Sequence, residues 1–217
     1  MSQESWQKKI YQRIEGKDVA KILSFYGIAG RFSYVPLYGG WRKACFLLDT
    51  EKEKLVLTIY PLQALEEERI ISAIRLEQEA LKKGLPCRKA LKTKRGNELL
   101  LYRLKGEMIY VVLFFYLPGQ TVHPYREQQI QETGKWLAKL HRAFENRNQT
   151  LIHGDFARGN LFFNAEGKLC GIIDFEEARW GEAEEDIKIT MDFLFKDCLI
   201  PKEKIAEIFK TAYENCQ

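Results

Sequence analysis

Leu151-Ile-His-Gly-Asp-Phe-Ala-Arg-Gly-Asn-Leu-Phe-Phe163 and, after a short hairpin, Gly171-Ile-Ile-Asp-Phe-Glu-Glu-Ala178 are the two stretches on which the reading of this chain turns. Each sets a carboxylate, Asp155 or Asp174, directly after an apolar run of strand character, and Asn160 follows Asp155 by five positions. Between them, Asn164-Ala-Glu-Gly167 has the residues of a tight turn. Taken singly, a His-Gly-Asp is a common turn and an Asp after a buried strand is often a cap. The order and closeness of the two motifs is what marks a site. The five-residue gap lets one tight loop set Asp155 and Asn160 side by side, while the strand through Gly171 to Ile173 carries Asp174 to the same place.

The chemistry that suits this spacing is phosphoryl transfer, which asks a protein for positioning and charge neutralisation more than for covalent help. One carboxylate accepts or orients the proton of an attacking hydroxyl. Mg2+ is a hard ion that keeps several waters, so one or two side-chain oxygens suffice to hold it. On this chemistry Asp155 is the base, and Asn160 and Asp174 are the metal ligands.

The pattern His-Gly-Asp-x-x-x-x-Asn, followed by an apolar Ile-Asp-Phe segment, resembles the aminoglycoside phosphotransferase and choline kinase family, a branch of the protein-kinase-like fold. Gly134-Lys-Trp-Leu-Ala-Lys-Leu-His141 is similar to that family's helix before the catalytic loop, and Leu117-Pro-Gly119 to its crossing between lobes. The resemblance runs from about Tyr26 to Thr190 and is specific at the catalytic loop. It implies an α+β, two-lobed fold. Residues 1–117 would form N-terminal helices and a small antiparallel β-sheet lobe with one helix, and residues 118–217 a mostly helical lobe with the catalytic hairpin. It also implies ATP or GTP as donor, Mg2+, and a hydroxyl of a small metabolite as acceptor. Gly39 and Gly40 fall where the family turns over the nucleotide phosphates, and two glycines let a backbone come close to phosphate, although a Gly-Gly hairpin is also common on its own. By position, backbone groups of Phe115 and Leu117 are the candidates for hydrogen bonds to the base; Val111 to Tyr116 also reads simply as a core strand.

Composition is compatible with this. A chain of 217 residues suits one two-lobed unit or two small domains. The net charge of +4 is mild and implies no nucleic-acid partner. Five cysteines, an odd number without metal-type spacing, suggest reduced thiols and a cytoplasmic protein, and three scattered histidines argue against zinc. The polar N-terminus predicts no signal peptide. The longest apolar stretch, Met108 to Leu117, is strand-sized, so no membrane span is expected. Trp6, Ile10 and Ile14, then Val19, Ile22 and Leu23, recur at helical spacing and predict helices over 3–25 with a break at Gly16. Strands are expected over 32–60, with turns at Tyr38-Gly-Gly40 and Asp49-Thr-Glu-Lys52. A helix follows over 64–83, stopped by Gly84 with Pro86 beyond it. Two strands, 97–104 and 107–117, and helices over 124–146, 184–197 and 202–214 complete the reading.

One position departs from the family. Thr58 stands where its third strand carries a Lys or Arg for the nucleotide phosphates. Lys54 is four residues away, roughly 13 Å at about 3.3 Å per residue, and cannot simply substitute. The following helix shows the other half of the problem. Ile70, Ile74, Glu77 and Leu81 share one face, so Glu77 lies on the stripe to be buried, where a carboxylate needs a cation or several donors. In kinase-like folds this glutamate pairs with the strand lysine. Either the cation comes from Lys43 or Arg42 on the neighbouring strand, or Glu77 sits at the edge of the face and reaches water; Glu79 is a second candidate for the role. Lys43, Thr58 and Glu77 thus join Gly39, Gly40, Phe115 and Leu117 as nucleotide-site candidates. The lost lysine also raises an alternative, a nucleotide-binding pseudokinase or regulatory module with weak or no catalysis.

The acceptor is less legible. Glu176, Glu177, Glu182, Glu184, Glu185 and Asp186 crowd the segment that faces the acceptor in the family, and acids there suit cationic substrates such as amino sugars or choline. Acidic residues also favour a helix N-terminus, and the resemblance matches Asp186 to an aspartate that supports the catalytic loop. Arg158 is either a phosphate contact or an exposed loop residue, and the basic run Lys82 to Arg95 reads as a solvated surface. The segments that build the family's acceptor pocket are short here. An open, shallow acceptor site is expected unless a second copy completes it as a homodimer, and a protein-kinase activation segment does not fit.

Overall fold

The computed structural model describes residues 3–39, 42–147 and 149–216, with side chains from Trp6 onward. The chain forms two compact units, one of residues up to Ile74 with Lys89–Tyr116, the other of Arg75–Arg88 with Leu117 onward.

The first unit opens with α1 (Gln3–Arg13) and α2 (Gly16–Phe25). The expected break lies between them: the Glu15 amide donates to Asp18 Oδ2 at 3.0 Å, which caps α2 and restarts the helix at Gly16. Then come β1 (Phe32–Leu37), β2 (Ala44–Thr50) and β3 (Lys54–Pro61), helix α3 (Glu67–Lys82), and β4 (Leu100–Leu104) and β5 (Glu107–Phe115). The strands make one antiparallel sheet in the order β1-β2-β3-β5-β4. Alternation along β3 explains its two cores. Leu55, Leu57 and Ile59 meet Ile10, Val19, Ile22 and Leu23 from α1 and α2. Tyr60 points the other way and joins Leu65, Ile70, Ile74, Val112 and Phe114. Strand β5 is buried from Ile109 to Phe114, and reads as one unbroken apolar run because both its faces are covered.

Helix α1 also ties down the turn between β1 and β2. Tyr11 Oη donates to the Leu37 carbonyl at 3.0 Å and accepts from the Cys45 amide at 3.3 Å, and Gln7 Nε2 donates to the Lys43 carbonyl at 2.5 Å. Within that turn Gly39 has φ +148°, a backbone open to glycine. Gly40 lies outside the described residues.

The second unit holds the later part of α3, α4 (Glu127–Ala143), α5 (Ala183–Asp197), α6 (Lys202–Glu214) and two small antiparallel sheets. In one, β6 (Thr150–Ile152) pairs with β9 (Arg179–Gly181); in the other, β7 (Leu161–Phe163) pairs with β8 (Leu169–Ile172). A 3-10 turn over Phe175–Glu177 links β8 to β9. Helix α4 starts at Glu127, three residues later than its periodicity predicts, because the Arg126 amide is capped by Gln129 Oε1 at 3.1 Å. The resulting architecture is α+β, as the motifs imply.

Helices α4 and α6 approach closely at Gly134, where an added Cβ would lie 2.5 Å from the Phe209 carbonyl oxygen. Gly134→Ala is therefore expected to cost about 1–3 kcal/mol of unfolding free energy, the usual scale of overpacking. Gly16→Ala, with nothing within 4 Å of its Cβ, should be neutral or slightly stabilising. Urea unfolding of both variants checks the contrast.

Candidate active site

The loop from β6 to β7 carries His153, Gly154, Asp155 and Asn160, and its backbone is gripped by one carboxylate. Asp186, in the first turn of α5 and 0% exposed, accepts the His153 amide on Oδ2 at 2.7 Å and the Gly154 amide on Oδ1 at 3.0 Å. His141 of α4 places Nε2 3.2 Å from the same Oδ2 and Nδ1 2.7 Å from the Tyr213 hydroxyl of α6, and its carbonyl accepts the Thr150 hydroxyl at 2.6 Å. Burial raises the Asp186 carboxyl, but the hydrogen bond from His141, the His153 side chain and the His153 amide outweigh it and hold the group below its ordinary range. Gly154 has φ +76°, and a Cβ there would lie 2.8 Å from the Glu177 carbonyl, so the bend admits only glycine.

His153 is fixed by both ring nitrogens. Nδ1 accepts the Asp155 amide at 3.3 Å, so Nε2 carries the proton and donates to the Ile173 carbonyl at 3.1 Å. The ring is packed between Phe156 and Phe175. Asn160 Nδ2 donates to the Asp155 carbonyl at 2.9 Å and to its Oδ2 at 2.8 Å. With Nδ2 committed, Oδ1 is the atom of Asn160 left to ligate a cation. The Asn160 carbonyl accepts the Ile173 amide at 3.0 Å, which joins the loop to the residue before Asp174. Burial pushes the Asp155 carboxyl up; Asp174 and Glu177 add to the rise and the Asn160 hydrogen bond opposes it. Asn160 Oδ1 and the Asp174 carboxylate are hard oxygen donors of the kind that Mg2+ takes, an ion otherwise completed by water and phosphate oxygens.

Glu77 corrects the sequence reading. It is 1% exposed and does not reach water. Its cation is Arg88: Nε lies 2.7 Å from Oε2 and 3.0 Å from Oε1, and Nη2 lies 2.9 Å from Oε1. The expectation sought this cation on Lys43 or Arg42 and treated Lys82 to Arg95 as solvated; Arg88 is the buried exception in that run. The chain reverses at Gly84, Pro86 accepts the Ile172 amide at 2.8 Å, and Cys87 bridges Ile172, so Arg88 returns over α3. Glu77 Oε1 also accepts the Asp174 amide at 3.2 Å. Glu79 is exposed and pairs with Lys82 at 2.6 Å, which removes it from the role.

In the first unit, the Lys43 ammonium lies 5.7 Å from the centre of the Tyr60 ring. Thr58 is 0% exposed, with Cys45 Sγ 3.8 Å from its hydroxyl. The Phe115 amide donates to the Lys89 carbonyl at 2.9 Å, which leaves Phe115 only its carbonyl for a base. In the second unit, Leu117 Cδ1 packs against Gly171. The acidic segment divides. Asp186 serves the loop, Glu185 pairs with Arg179, Glu182 and Glu184 sit at the start of α5, and Glu176 is buried. Arg158 is 3.5 Å from Asp197.

Residues 142–214, which include both motifs, match the model of the phosphotransferase enzyme family. A homoserine kinase of Rhizobium rhizogenes is 28% identical over 189 residues, covering 85% of this chain and 54% of that protein. The chain thus spans about half the length of the curated relatives it matches first. Among solved structures, an amicoumacin kinase in complex with AMP-PNP and Ca2+ superposes with a TM-score of 0.77 at 14% identity, over 95% of this chain and 79% of that one. A microcompartment-associated aminopropanol kinase superposes with a TM-score of 0.75 at 13% identity, over 94% and 81%. The resemblance to this group of phosphotransferases is shown by sequence across the site and by fold along nearly the whole chain. The fold is that of the protein-kinase-like enzymes. No helix among the described residues is long and apolar enough to cross a membrane.

The two aspartates should respond oppositely to pH. Asp186 is depressed in the folded state, so its contribution is present above the ordinary carboxylate value near 3.8 and is lost as pH falls through the folded value. Asp155 is raised, so its ionised form weighs against folding at neutral pH, and that cost is relieved as pH falls through the raised value. At pH 7, Asp186→Asn should lose about 1.5–3 kcal/mol, the scale of hydrogen bonds to a charged group, and Asp155→Asn should gain stability. Denaturant titrations at pH 7 and pH 4 test both signs.

Proposed function

We propose that the chain is a small-molecule kinase that moves the terminal phosphate of ATP or GTP to a hydroxyl of an amine-bearing metabolite. The observation that carries this is the connected set in the second unit. Asn160 Nδ2 holds Asp155 by its carbonyl and its Oδ2, and the Asn160 carbonyl holds the residue before Asp174. In this reading the base, the amide that orients it and the two residues that would meet the metal are joined by one set of hydrogen bonds.

In this reading Asp155 Oδ takes the proton of the acceptor hydroxyl as that oxygen bonds to the terminal phosphorus. The bond from phosphorus to the bridging oxygen breaks, and the nucleoside diphosphate leaves. Asn160 keeps Asp155 aimed, and its Oδ1 with the Asp174 carboxylate would hold Mg2+. When bound, Mg2+ neutralises phosphate charge. Residues 1–117 would serve the nucleotide and residues 118–217 the chemistry and the acceptor. Within the first unit the turn at Gly39 would approach the phosphates, Lys43 would supply a cation near them, and the Phe115 carbonyl would meet the base.

Homoserine and aminopropanol, named for two of the similar proteins, each carry a hydroxyl and an amine. Glu177, Glu182 and Glu184, which follow the metal motif, suit a cationic acceptor of that kind. A second copy of the chain would complete the acceptor site, in a cytoplasmic setting. Thr58 favours a second reading, a nucleotide-binding regulatory module, because a buried threonine supplies no charge to phosphate.

Nucleoside diphosphate release with homoserine, aminopropanol, choline and an aminoglycoside separates the two. Asp155→Asn should cut turnover by about 10²–10⁴, the scale of a positioned base, while nucleotide still binds. In the wild type, kcat/KM should fall as pH drops through the raised Asp155 value, an acid limb above the ordinary carboxylate value near 3.8. Turnover that survives Asp155→Asn contradicts the assignment of the base, and no turnover with any acceptor favours the regulatory module.

A further inference from the structure

We propose that Arg88 is a positioning residue for Asp174 and sets the affinity of the site for its metal, acting through Glu77. The inference rests on the reading of Asp174 as a metal ligand and adds the device that aims it.

Asp174 has a left-handed backbone, φ 73° and ψ 60°, a region that non-glycine residues seldom occupy. Such a conformation persists only where its surroundings hold it. Here the Asp174 amide donates to Glu77 Oε1 at 3.2 Å. That acceptor is useful only if the carboxylate itself cannot turn. Arg88 fixes it as a fork: Nε and Nη2 both reach Oε1, at 3.0 and 2.9 Å, and Nε reaches Oε2 at 2.7 Å. A lysine could carry the charge but not this planar geometry.

Arg88 is held in its turn by the strand it serves. The Ile172 amide donates to the Pro86 carbonyl at 2.8 Å, and Cys87 bridges Ile172. Strand β8 ends at Ile172, two residues before Asp174. The contacts therefore close a ring, from β8 to Pro86 and Arg88, to Glu77, to Asp174 and back to β8. All its members lie in the second unit. A glutamate that pairs with a strand lysine in kinase-like folds here has its charge met by an arginine from the segment that follows its own helix. Thr58 in the strand is then compatible with an ordered metal loop.

Three variants separate positioning from mere stability. Arg88→Lys keeps the charge and loses the fork. The pair Glu77→Leu with Arg88→Met removes both charges together with the acceptor, an exchange that folds tolerate better than a half-broken pair. The pair Glu77→Gln with Arg88→Gln keeps an oxygen for the Asp174 amide. Two readouts are taken: the Mg2+ concentration at the midpoint of the ATP-induced thermal shift, and amide hydrogen exchange at Asp174 in metal-free protein. Outer partners of metal ligands carry about 10–100-fold in metal affinity. The leucine–methionine pair should raise the midpoint by about that factor and lose protection at the Asp174 amide. The glutamine pair should recover most of both, and Arg88→Lys should fall between. An unchanged midpoint in Arg88→Lys and in the leucine–methionine pair overturns the inference alone; Arg88→Lys decides it if that pair does not fold. A wild type whose ATP response ignores Mg2+ overturns the parent reading, and this inference with it.

Discussion

A single buried carboxylate sets the geometry of the second unit. Asp186 has no water to solvate it, and an uncompensated charge at such a depth costs several kcal/mol. It is stabilised by the amides of His153 and Gly154 and by the ring of His141. The two amides belong to the loop between β6 and β7, so satisfying the charge also shapes that loop. The bend at Gly154 follows, then the His153 ring lodged between two phenylalanines, and then Asp155, whose amide reads the His153 ring. Helices α4 and α6 enter the same network through His141 and Tyr213. Each interaction is of ordinary strength; their convergence on one group is what makes the loop rigid.

Glu77 is another buried carboxylate, and it is satisfied in another way. Asp186 relies mainly on backbone amides, whereas Glu77 takes a guanidinium on both oxygens and one amide. The difference follows from where the two lie. Asp186 stands in the first turn of α5, against the loop amides of His153 and Gly154, while Glu77 lies late in α3, where the helix uses its own amides internally. The main donor to Glu77 is therefore a side chain, which the reversal at Gly84 and Pro86 delivers. Both carboxylates thus hold backbone at the two motifs, one at each.

The legible part of the fold followed from periodicity. Apolar residues three and four apart marked α1, α2 and the buried face of α3, and Gly16 and Gly84 marked two of the ends. The sheet was legible because its strands alternate or run fully apolar between turn residues. Within the site, Asp155 and Asn160 were brought into contact as their five-residue spacing requires. Arg88 was not legible. Its partner lies eleven positions back across a chain reversal, and its neighbours Lys83, Lys89 and Lys92 give the run the look of a solvated face. Strand β9 was missed for a related reason. Arg179-Trp180-Gly181 is too short to show a period, and its pairing with β6 depends on the turn at Phe175–Glu177.

The claim on which the account rests is that the two motifs build one metal-dependent nucleotide site. Thermal unfolding with ATP or GTP, each with and without Mg2+, on the wild type and on Asp174→Ala tests it most directly. Ligand at 100 times its dissociation constant stabilises by about 2.7 kcal/mol, which is readily measured. The account predicts a Mg2+-dependent rise in Tm for the wild type that Asp174→Ala abolishes. A rise that Asp174→Ala leaves intact, or no rise with either nucleotide, would contradict it.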